Sequence, residues 1–146
     1  MAYEILAYYF FTALEEPHLE VKNHKNFFSK RDVTGRIYIS EEGINGQMSG
    51  AKSDIEAYIQ WMKQDKRFEK MPFKIHTSSE NVFPRMTVKY REQLVALDKS
   101  VDMSLGGEHV SPLRWKEMIE NKEDNCLLID VRNDYETAIG HFEDSE

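Results

Sequence analysis

The sequence predicts an α+β domain with the split β-α-β arrangement, called ferredoxin-like, followed by the start of an α/β unit. Three observations lead to this prediction. Patterns of strand, helix, hairpin, helix and strand follow one another through the first half of the chain. A Gly106-Gly107 pair then interrupts the periodic pattern, and a short apolar run typical of a buried parallel strand comes after it. With 146 residues the chain is long enough for one ordinary domain and too short for two. We therefore expect a complete domain at 1–97, a linker at 98–110 and an incomplete unit at 111–146.

The first strand and helix of the predicted domain are read from the residues up to Arg31. The segment EILAYYFF, from Glu4 to Phe11, is apolar at nearly every position, which predicts a strand at the centre of the sheet, covered on both faces. Pro17 is suited to the first turn of a helix, and Lys30 and Arg31 suit its C-terminal end. The apolar positions of this helix are Leu14, Val21, Phe27 and Phe28.

A hairpin is predicted next. Arg36 to Ser40 has a strand pattern, and Gln47 to Ser49 is a second short strand. Between them lies EEGING, in which the Asn45-Gly46 pair tolerates positive φ and therefore predicts the turn. The glycines could also let backbone amides approach a phosphate, but the two glutamates beside them would repel an anion.

The second helix has the clearest pattern in the chain. Ser53 and Glu56 have the spacing of a capping box, which predicts the start of the helix. Apolar residues then repeat at helical spacing, at Ile55, Tyr58, Ile59 and Met62. After this helix, Phe73 and Ile75 alternate with polar residues and predict the fourth strand.

The segment Phe83 to Val95 alternates with the period of a further strand. One face would carry Met86, Val88 and Tyr90, and the other Arg85, Thr87, Lys89 and Arg91. The three cations on one strand face, Arg85, Lys89 and Arg91, are candidates for binding the phosphates of RNA. The alternative is a solvated edge strand whose charges discourage aggregation.

The incomplete unit begins with a predicted helix. Ser111 is suited to the N-cap and Pro112 to the first helical position. The buried face of this helix would consist of Leu113, Trp115, Met118 and Ile119.

The run CLLIDV, from Cys126 to Val131, predicts a parallel central strand, and Asp134 would cap a last helix that ends before Gly140. A parallel strand needs neighbours that are supplied by crossovers of about a dozen residues or more. We therefore expect the gene to continue beyond Glu146.

Composition and charge exclude several classes of protein. No apolar run approaches the ~20 residues that a membrane helix needs, and the N-terminus lacks the features of a secretory signal, so we expect a cytoplasmic location. The single cysteine cannot form an internal disulfide. The formal net charge of −7 argues against a non-specific coat on nucleic acid. Any contact with RNA would require a local basic patch.

Three stretches resemble a known family, the rhodanese-domain tRNA uridine hydroxylases of bacteria. They are GRIYISEEGINGQMSG (35–50), FPRMTVKYR (83–91) and LLIDVRNDYETAIGHFE (127–143), and the resemblance covers essentially the whole chain. It implies an enzyme that uses dioxygen as co-substrate to convert the wobble uridine of certain tRNAs to 5-hydroxyuridine. It also implies a ferredoxin-like domain, a linker and a rhodanese-like domain, in that order.

The resemblance also bears on the site residues. The family's reactive cysteine lies downstream of the motif found here at 130–142, so no catalytic residue is expected in this chain, and the fragment should be inactive. Cys126 aligns with a position in the protein core, where apolar surroundings would raise its thiol pKa and make it inert. Asp130 and Arg132 follow a predicted parallel strand, and in rhodanese-like domains these residues more often brace the active-site loop than take part in chemistry.

For cofactors and partners we expect dioxygen and tRNA, no metal and no evident protein partner. The sequence His141-Phe142-Glu143 has the form that begins an iron site, but the second histidine is missing downstream.

The sequence also suits three other functions to different degrees. The rhodanese resemblance alone would also fit a sulfurtransferase with a persulfide on the downstream cysteine. A non-catalytic RNA-binding module is a second alternative, but the predicted strand QMSG has no aromatic residue for base stacking. Acylphosphatase chemistry is least favoured, because the loop TALEEP after the first strand has no arginine to hold an anion.

Overall fold

The computed structural model describes residues 3–94, 105–123 and 125–146. It divides into two compact units, Met1–Lys99 and Ser100–Glu146, each of which is described by itself. Val95 and the first seven residues of the predicted linker, 98–104, lie outside the described residues. None of the described helices is long and apolar enough to cross a membrane.

The described residues of the first unit, 3–94, form five strands and two helices. In chain order they are β1 (Tyr3–Phe11), α1 (Pro17–Phe28), β2 (Val33–Ser40), β3 (Gly43–Ala51), α2 (Lys52–Lys63), β4 (Lys74–Ser78) and β5 (Met86–Tyr90). The sheet order is β4-β1-β3-β2-β5. The pairs β4-β1, β1-β3 and β3-β2 are antiparallel, whereas β5 adds to the edge of β2 in parallel. The predicted ferredoxin-like fold is confirmed, with β5 as an additional edge strand.

The core lies on the sheet face that the two helices cover. Helix α1 packs on β2 and β5, and α2 packs on β1 and β3. Strand side chains such as Leu6, Ile37, Ile44 and Met48 are completely buried there. Three of the four predicted apolar positions of α2, namely Ile55, Tyr58 and Met62, are buried as well. The fourth, Ile59, is partly buried and packs against the core.

Strand β1 is internal in the sheet, but the prediction that both of its faces are covered is wrong. Leu6 and Tyr8 are buried under the helices, while Tyr9, which points the other way, is 38% exposed. The continuous apolar run arises because the uncovered face of β1 carries aromatic and small aliphatic side chains instead of charges. This uncovered face of the sheet is called the open face below.

The predicted Asn45-Gly46 turn is also wrong. Ser40 pairs with Gly43, so the turn is Glu41-Glu42, and Asn45 and Gly46 lie inside β3. Glycine is required at position 46 for another reason. A Cβ there would lie 2.2 Å from Cζ of Tyr8, whose ring packs directly on the backbone of β3.

The predicted capping box of α2 is not formed. The N-cap is Ala51, the last residue of β3, and no side chain caps the helix. Because the strand passes directly into the helix, Ser53 falls within the first turn instead of before it. The helix begins without a cap and is held by packing of its apolar face.

A chain of buried polar groups connects α1, α2 and β1. The Nδ1 atom of His24 lies 2.8 Å from the carbonyl oxygen of Glu20, and its Nε2 lies 3.1 Å from the hydroxyl of Tyr58. That hydroxyl lies 2.5 Å from the hydroxyl of Tyr8. Burial lowers the pKa of His24 and raises the pKa of both tyrosines. All three groups are therefore neutral inside the folded unit at neutral pH.

In the second unit the described residues form two helices, α3 (Pro112–Glu120) and α4 (Asp134–Thr137). The predicted cap of α3 is confirmed, since the hydroxyl of Ser111 accepts a hydrogen bond from the amide of Arg114 at 3.3 Å. The predicted cap of α4 is wrong by one residue: Asn133 caps this helix in a capping box with Glu136.

The apolar face of α3 is not buried as predicted. Leu113 is 70% exposed and Met118 is 42% exposed, whereas Trp115 and Ile119 are half-buried. The described part of the unit therefore gives this helix little to pack against.

The run Cys126 to Val131 is not a paired strand, which corrects a second prediction. Leu128 is buried, but Ile129 is 60% exposed and Val131 is 90% exposed. Its backbone bonds instead to the segment at Glu146, through the amide of Asp130 and the carbonyl of Leu128. Cys126, expected in a core, is exposed. The physical reason is that an extended segment becomes a central strand only beside neighbours, and the described part of this unit has no strand to pair with it.

Candidate nucleic-acid interface

The open face of the sheet is built from alternate residues of all five strands. One row across it contains Lys74, Ala7, Gln47, Arg36 and Thr87, which are paired in register. The next row contains Tyr9, Asn45, Tyr38 and Lys89. Because both helices cover the other face, these rows lie on the surface that the helices leave uncovered.

The charge of the open face is opposite to that of the chain. Its strand positions include Arg36, Lys74 and Lys89 and, in the described strands, no carboxylate. The chain as a whole has a formal net charge of −7. Acidic side chains border this face at the turn, where Glu41 and Glu42 lie. A local basic surface on an acidic chain suits a polyanion that is bound in one place.

Two of the three predicted phosphate-binding cations belong to this surface. Lys89 pairs with Tyr38, and the guanidinium carbon of Arg91 lies 4.9 Å from the centre of the Tyr38 ring. The amide of Arg91 donates to the carbonyl of Ile39 at 2.9 Å, which extends the ladder past the end of β5. Arg85 is exposed in the bend that precedes β5. Arg85 and Lys89 are four residues apart, or roughly 13 Å along an extended chain.

Aromatic side chains stand beside these cations. Tyr9 and Phe11 lie on the open face of β1, with their ring centres 4.9 Å apart, and Tyr38 lies on the open face of β2. Burial and the nearby carboxylate of Glu42 raise the pKa of Tyr9, so its phenol stays neutral. Strand β3 has no aromatic residue for base stacking on an RNA platform, but the strands on both sides of β3 supply aromatic rings.

Sequence reasoning missed Arg36, Tyr38, Tyr9 and Lys74 as members of one surface. The alternation in β2, where arginine and tyrosine alternate with isoleucine, was a usable signal for the first two. The other two follow only from the register between β4, β1 and β3, which the sequence does not specify.

One end of the open face is closed by the connection between β4 and β5, which lie at opposite edges of the sheet. The hydroxyl of Thr34 donates to the side-chain oxygen of Asn81 in that connection at 2.6 Å. Ser49, at the same end of the face, is completely buried. The exposed strand positions of the face include Tyr9, Arg36 and Lys89.

In the second unit the predicted supporting residues, Asp130 and Arg132, contact each other. The Nε of Arg132 lies 2.9 Å from Oδ1 of Asp130, and its Nη2 lies 2.6 Å from Oδ2. The same Nη2 donates to the carbonyl of Gly140 at 2.7 Å. The guanidinium of Arg132 lowers the pKa of Asp130 to about 2. The pair ties the end of the apolar run to the segment after α4.

Among residues 3–94, 105–123 and 125–146, no group of three potential metal ligands is close enough to hold an ion. In the His141-Phe142-Glu143 segment, which was not expected to hold a metal, the Nδ1 of His141 lies 3.1 Å from the carbonyl of Thr137 in the preceding helix. His141 therefore contacts the C-terminal end of α4.

Comparison with known proteins adds three kinds of finding. Residues 3–94 match the family model of the UPF0176 acylphosphatase-like domain. Curated relatives named tRNA uridine(34) hydroxylase are 61% identical over 142 residues in Protochlamydia amoebophila and 54% identical over 143 residues in Chlamydia felis. These alignments cover 97% and 98% of this chain but 44% and 43% of the relatives, so the chain spans less than half of their length. Among solved structures, the BLUF protein BlrB matches with a TM-score of 0.47 and 13% identity over 62% of this chain and 71% of that chain.

Proposed function

This chain belongs to the family of the UPF0176 acylphosphatase-like domain, and on that premise we propose that its protein hydroxylates uridine at position 34 of tRNA. The observation that carries the proposal is the 50–61% identity, over 97–98% of the chain, to relatives named for this activity. In our proposal dioxygen is the co-substrate: one of its oxygen atoms enters uridine to give 5-hydroxyuridine, and a two-electron donor reduces the other to water. The reaction takes place in the cytoplasm, where tRNA is found.

The activity is tested with the complete protein expressed from its gene. Incubation of unmodified tRNA under isotopically labelled dioxygen should add one labelled oxygen atom to uridine, as measured by mass spectrometry of the nucleosides. The 146-residue chain alone should add none, since we expect the reactive cysteine outside it. Absence of labelled uridine with the complete protein would refute the hydroxylase assignment. Salt-sensitive RNA binding without oxygen transfer would favour the non-catalytic RNA module.

Within this activity, we propose that Lys89 and Arg91 on the open face of the first unit, together with Arg85 in the bend before β5, seat the tRNA. The support is the position of two of them: Lys89 and Arg91 stand beside Tyr38, on a surface whose described strand positions include no carboxylate. Cations at such positions neutralise phosphates, while aromatic rings add stacking that does not depend on sequence. The site thus combines the two interactions that bind single-stranded RNA.

The docking surface is tested by reversing its charge. The double variant K89E/R91E should bind tRNA more weakly, and the slope of log affinity against log salt should fall by about one for each phosphate that the variant no longer neutralises. The matched control is K22E/K25E, which makes the same charge change on exposed positions of α1, the helix on the opposite side of the sheet. Equal effects of both variants would show that total charge matters and the open face does not.

For the second unit we propose that residues 111–146 begin a rhodanese-like domain, in which Asp130 and Arg132 brace the active-site loop. The support is the bidentate contact of Arg132 with Asp130 and its bond to Gly140. R132K would keep the charge and lose the bidentate geometry. A bracing role predicts that this variant of the complete protein loses activity while its affinity for tRNA is unchanged.

A further inference from the structure

A hollow on the open face lies beside Tyr9 and is bordered by strands β1, β3 and β4. Its volume is about 340 Å³, and the residues around it include Ala7, Tyr9, Asn45, Gln47, Pro72 and Lys74. We propose that this hollow binds one unpaired base of the RNA, a proposal that rests on the proposed docking of tRNA to the open face.

The shape of the hollow follows from the residues at its floor and wall. Ala7 pairs with both Lys74 and Gln47, so a methyl group stands where neighbouring positions carry long side chains. Tyr9, two residues along β1, is 38% exposed and bounds the space with its ring. A small floor beside an exposed aromatic ring admits a flat, ring-sized group that stacks on the tyrosine.

The polar groups around the hollow match the edge of a base. Asn45 and Gln47 are alternate residues of β3 and stand on the same face, about 7 Å apart along the strand. Each side-chain amide offers both donors and an acceptor. The hydrogen-bonding edge of an unpaired base also presents donors and acceptors. Two amides can therefore hold such an edge whichever base enters, and the interaction needs no charged group.

Charge favours RNA over an uncharged ring compound as the occupant. Lys74 stands at the rim of the hollow, and Arg36 follows Gln47 in the same row. Both cations are exposed, and the strand positions around them carry no carboxylate in the described part of the chain. They can therefore bind the phosphates on either side of an inserted base. Paired bases have their edges engaged and lie inside the helix, so the hollow selects single-stranded RNA.

The test uses the complete protein and a short oligouridylate of about eight nucleotides, together with the same oligonucleotide carrying abasic sites. The expected result is that Y9L weakens binding of the oligouridylate about fivefold or more. Binding of the abasic oligonucleotide should be weaker for the unmodified protein and unaffected by Y9L. The matched control is Y135L, which removes a tyrosine ring that is 69% exposed in the second unit. With 5-bromouridine in the oligonucleotide, the photochemical cross-link should map to the peptide that contains Tyr9.

A second variant, Q47A, tests the hydrogen-bonding part and keeps the test independent of any effect of Y9L on folding. It should weaken binding of the oligouridylate and not of the abasic oligonucleotide. The inference is overturned if the protein binds RNA in a salt-sensitive way that K89E/R91E weakens, while Y9L and Q47A bind both oligonucleotides as the unmodified protein does. If no salt-sensitive binding of RNA is observed at all, the docking of tRNA to the open face is refuted together with the hollow.

Discussion

The first unit has a connected core, whereas the described part of the second unit buries one hydrophobic side chain. Fifteen hydrophobic residues of the first unit form one buried cluster, whose members include Leu6, Ile37 and Met48. In the second unit Leu128 is buried, and Val131 and Ile139 are 90% and 88% exposed. Both units contain helices with apolar faces and an apolar extended run. The difference shows that such patterns become a core only when another surface is present to cover them.

The largest expected effect is a loss of stability that distinguishes the core of the first unit from the apolar run of the second. I37A removes most of a fully buried side chain from the centre of the first unit and should lower the free energy of unfolding by about 2–5 kcal/mol. I129A removes the same atoms from a side chain that is 60% exposed, and it should change the free energy of unfolding by no more than about 0.5 kcal/mol. Chemical denaturation measures both. Each unit has one tryptophan, Trp61 or Trp115, so W115F and W61F backgrounds make fluorescence report one unit at a time.

Similar losses from I37A and I129A would contradict the comparison. They would mean that the apolar run of the second unit is buried in solution, as the sequence had predicted.

The fold of the first unit was predictable because its local patterns agree with its long-range pairing. The period of β5 placed Val88 inward, and the period of α2 placed Ile55 and Met62 inward. The exact turn was not predictable, because Gly46 is conformationally suited to a turn but is needed for the close approach of Tyr8. In the second unit the helices were predicted, but the strand was not formed, because pairing depends on residues elsewhere.

The next largest effect concerns the close approach of the Tyr8 ring to the backbone of β3 at Gly46. G46A places a methyl group within 2.2 Å of the Tyr8 ring, which is held in the core, and should cost about 1–3 kcal/mol. The matched control is G140A in the second unit, where an added Cβ meets no atom within 4 Å. Thermal unfolding of the two variants provides the measurement. A loss of stability in G140A as large as that in G46A would show that the segment after α4 is packed more tightly than the structure indicates.

The candidate site was predictable only in part, for a related reason. Alternation along one strand correctly put Lys89 on the face away from the core. The neighbours of Lys89 were not predictable, because Tyr38 lies beside it through a parallel pairing between β2 and β5. The hollow beside Tyr9 depends on the register of three strands, and a shift of one residue would turn its side chains to the other face.

A third effect depends on pH and concerns the buried polar chain of the first unit. Burial lowers the pKa of His24 below its ordinary value of 6.5, so the unfolded chain takes up the proton at a higher pH than the folded unit. The free energy of unfolding should therefore keep its maximum value above about pH 6.5. Below that pH it should fall by up to about 1.4 kcal/mol per pH unit. The fall should stop once the pH is below the lowered pKa, where both states are protonated.

Substitution of the histidine tests this origin of the pH dependence. H24Q should flatten the fall in stability below about pH 6.5, whereas H76Q, at an exposed position of β4, should leave it unchanged. The measurement is the free energy of unfolding, obtained by denaturation at a series of pH values. The hydrogen bonds of Arg67 lower the pKa of Asp65, and the series stays above the pH range in which Asp65 takes up its proton. An unchanged slope in H24Q would assign the effect to another group.

The smallest expected effect concerns Cys126, whose burial was predicted incorrectly. The ratio of its alkylation rates in the native and the denatured chain should be close to one. Cys126 is exposed, so its alkylation by iodoacetamide in the native chain should be about as fast as in the denatured chain. For comparison, S49C in a C126S background places a thiol at a completely buried position of the first unit. That thiol reacts only when the unit opens, and its native rate should be lower by about a hundredfold or more. Strong protection of Cys126 would mean that the second unit buries its apolar run in solution, because a thiol at the start of that run can be shielded only by a surface packed against it.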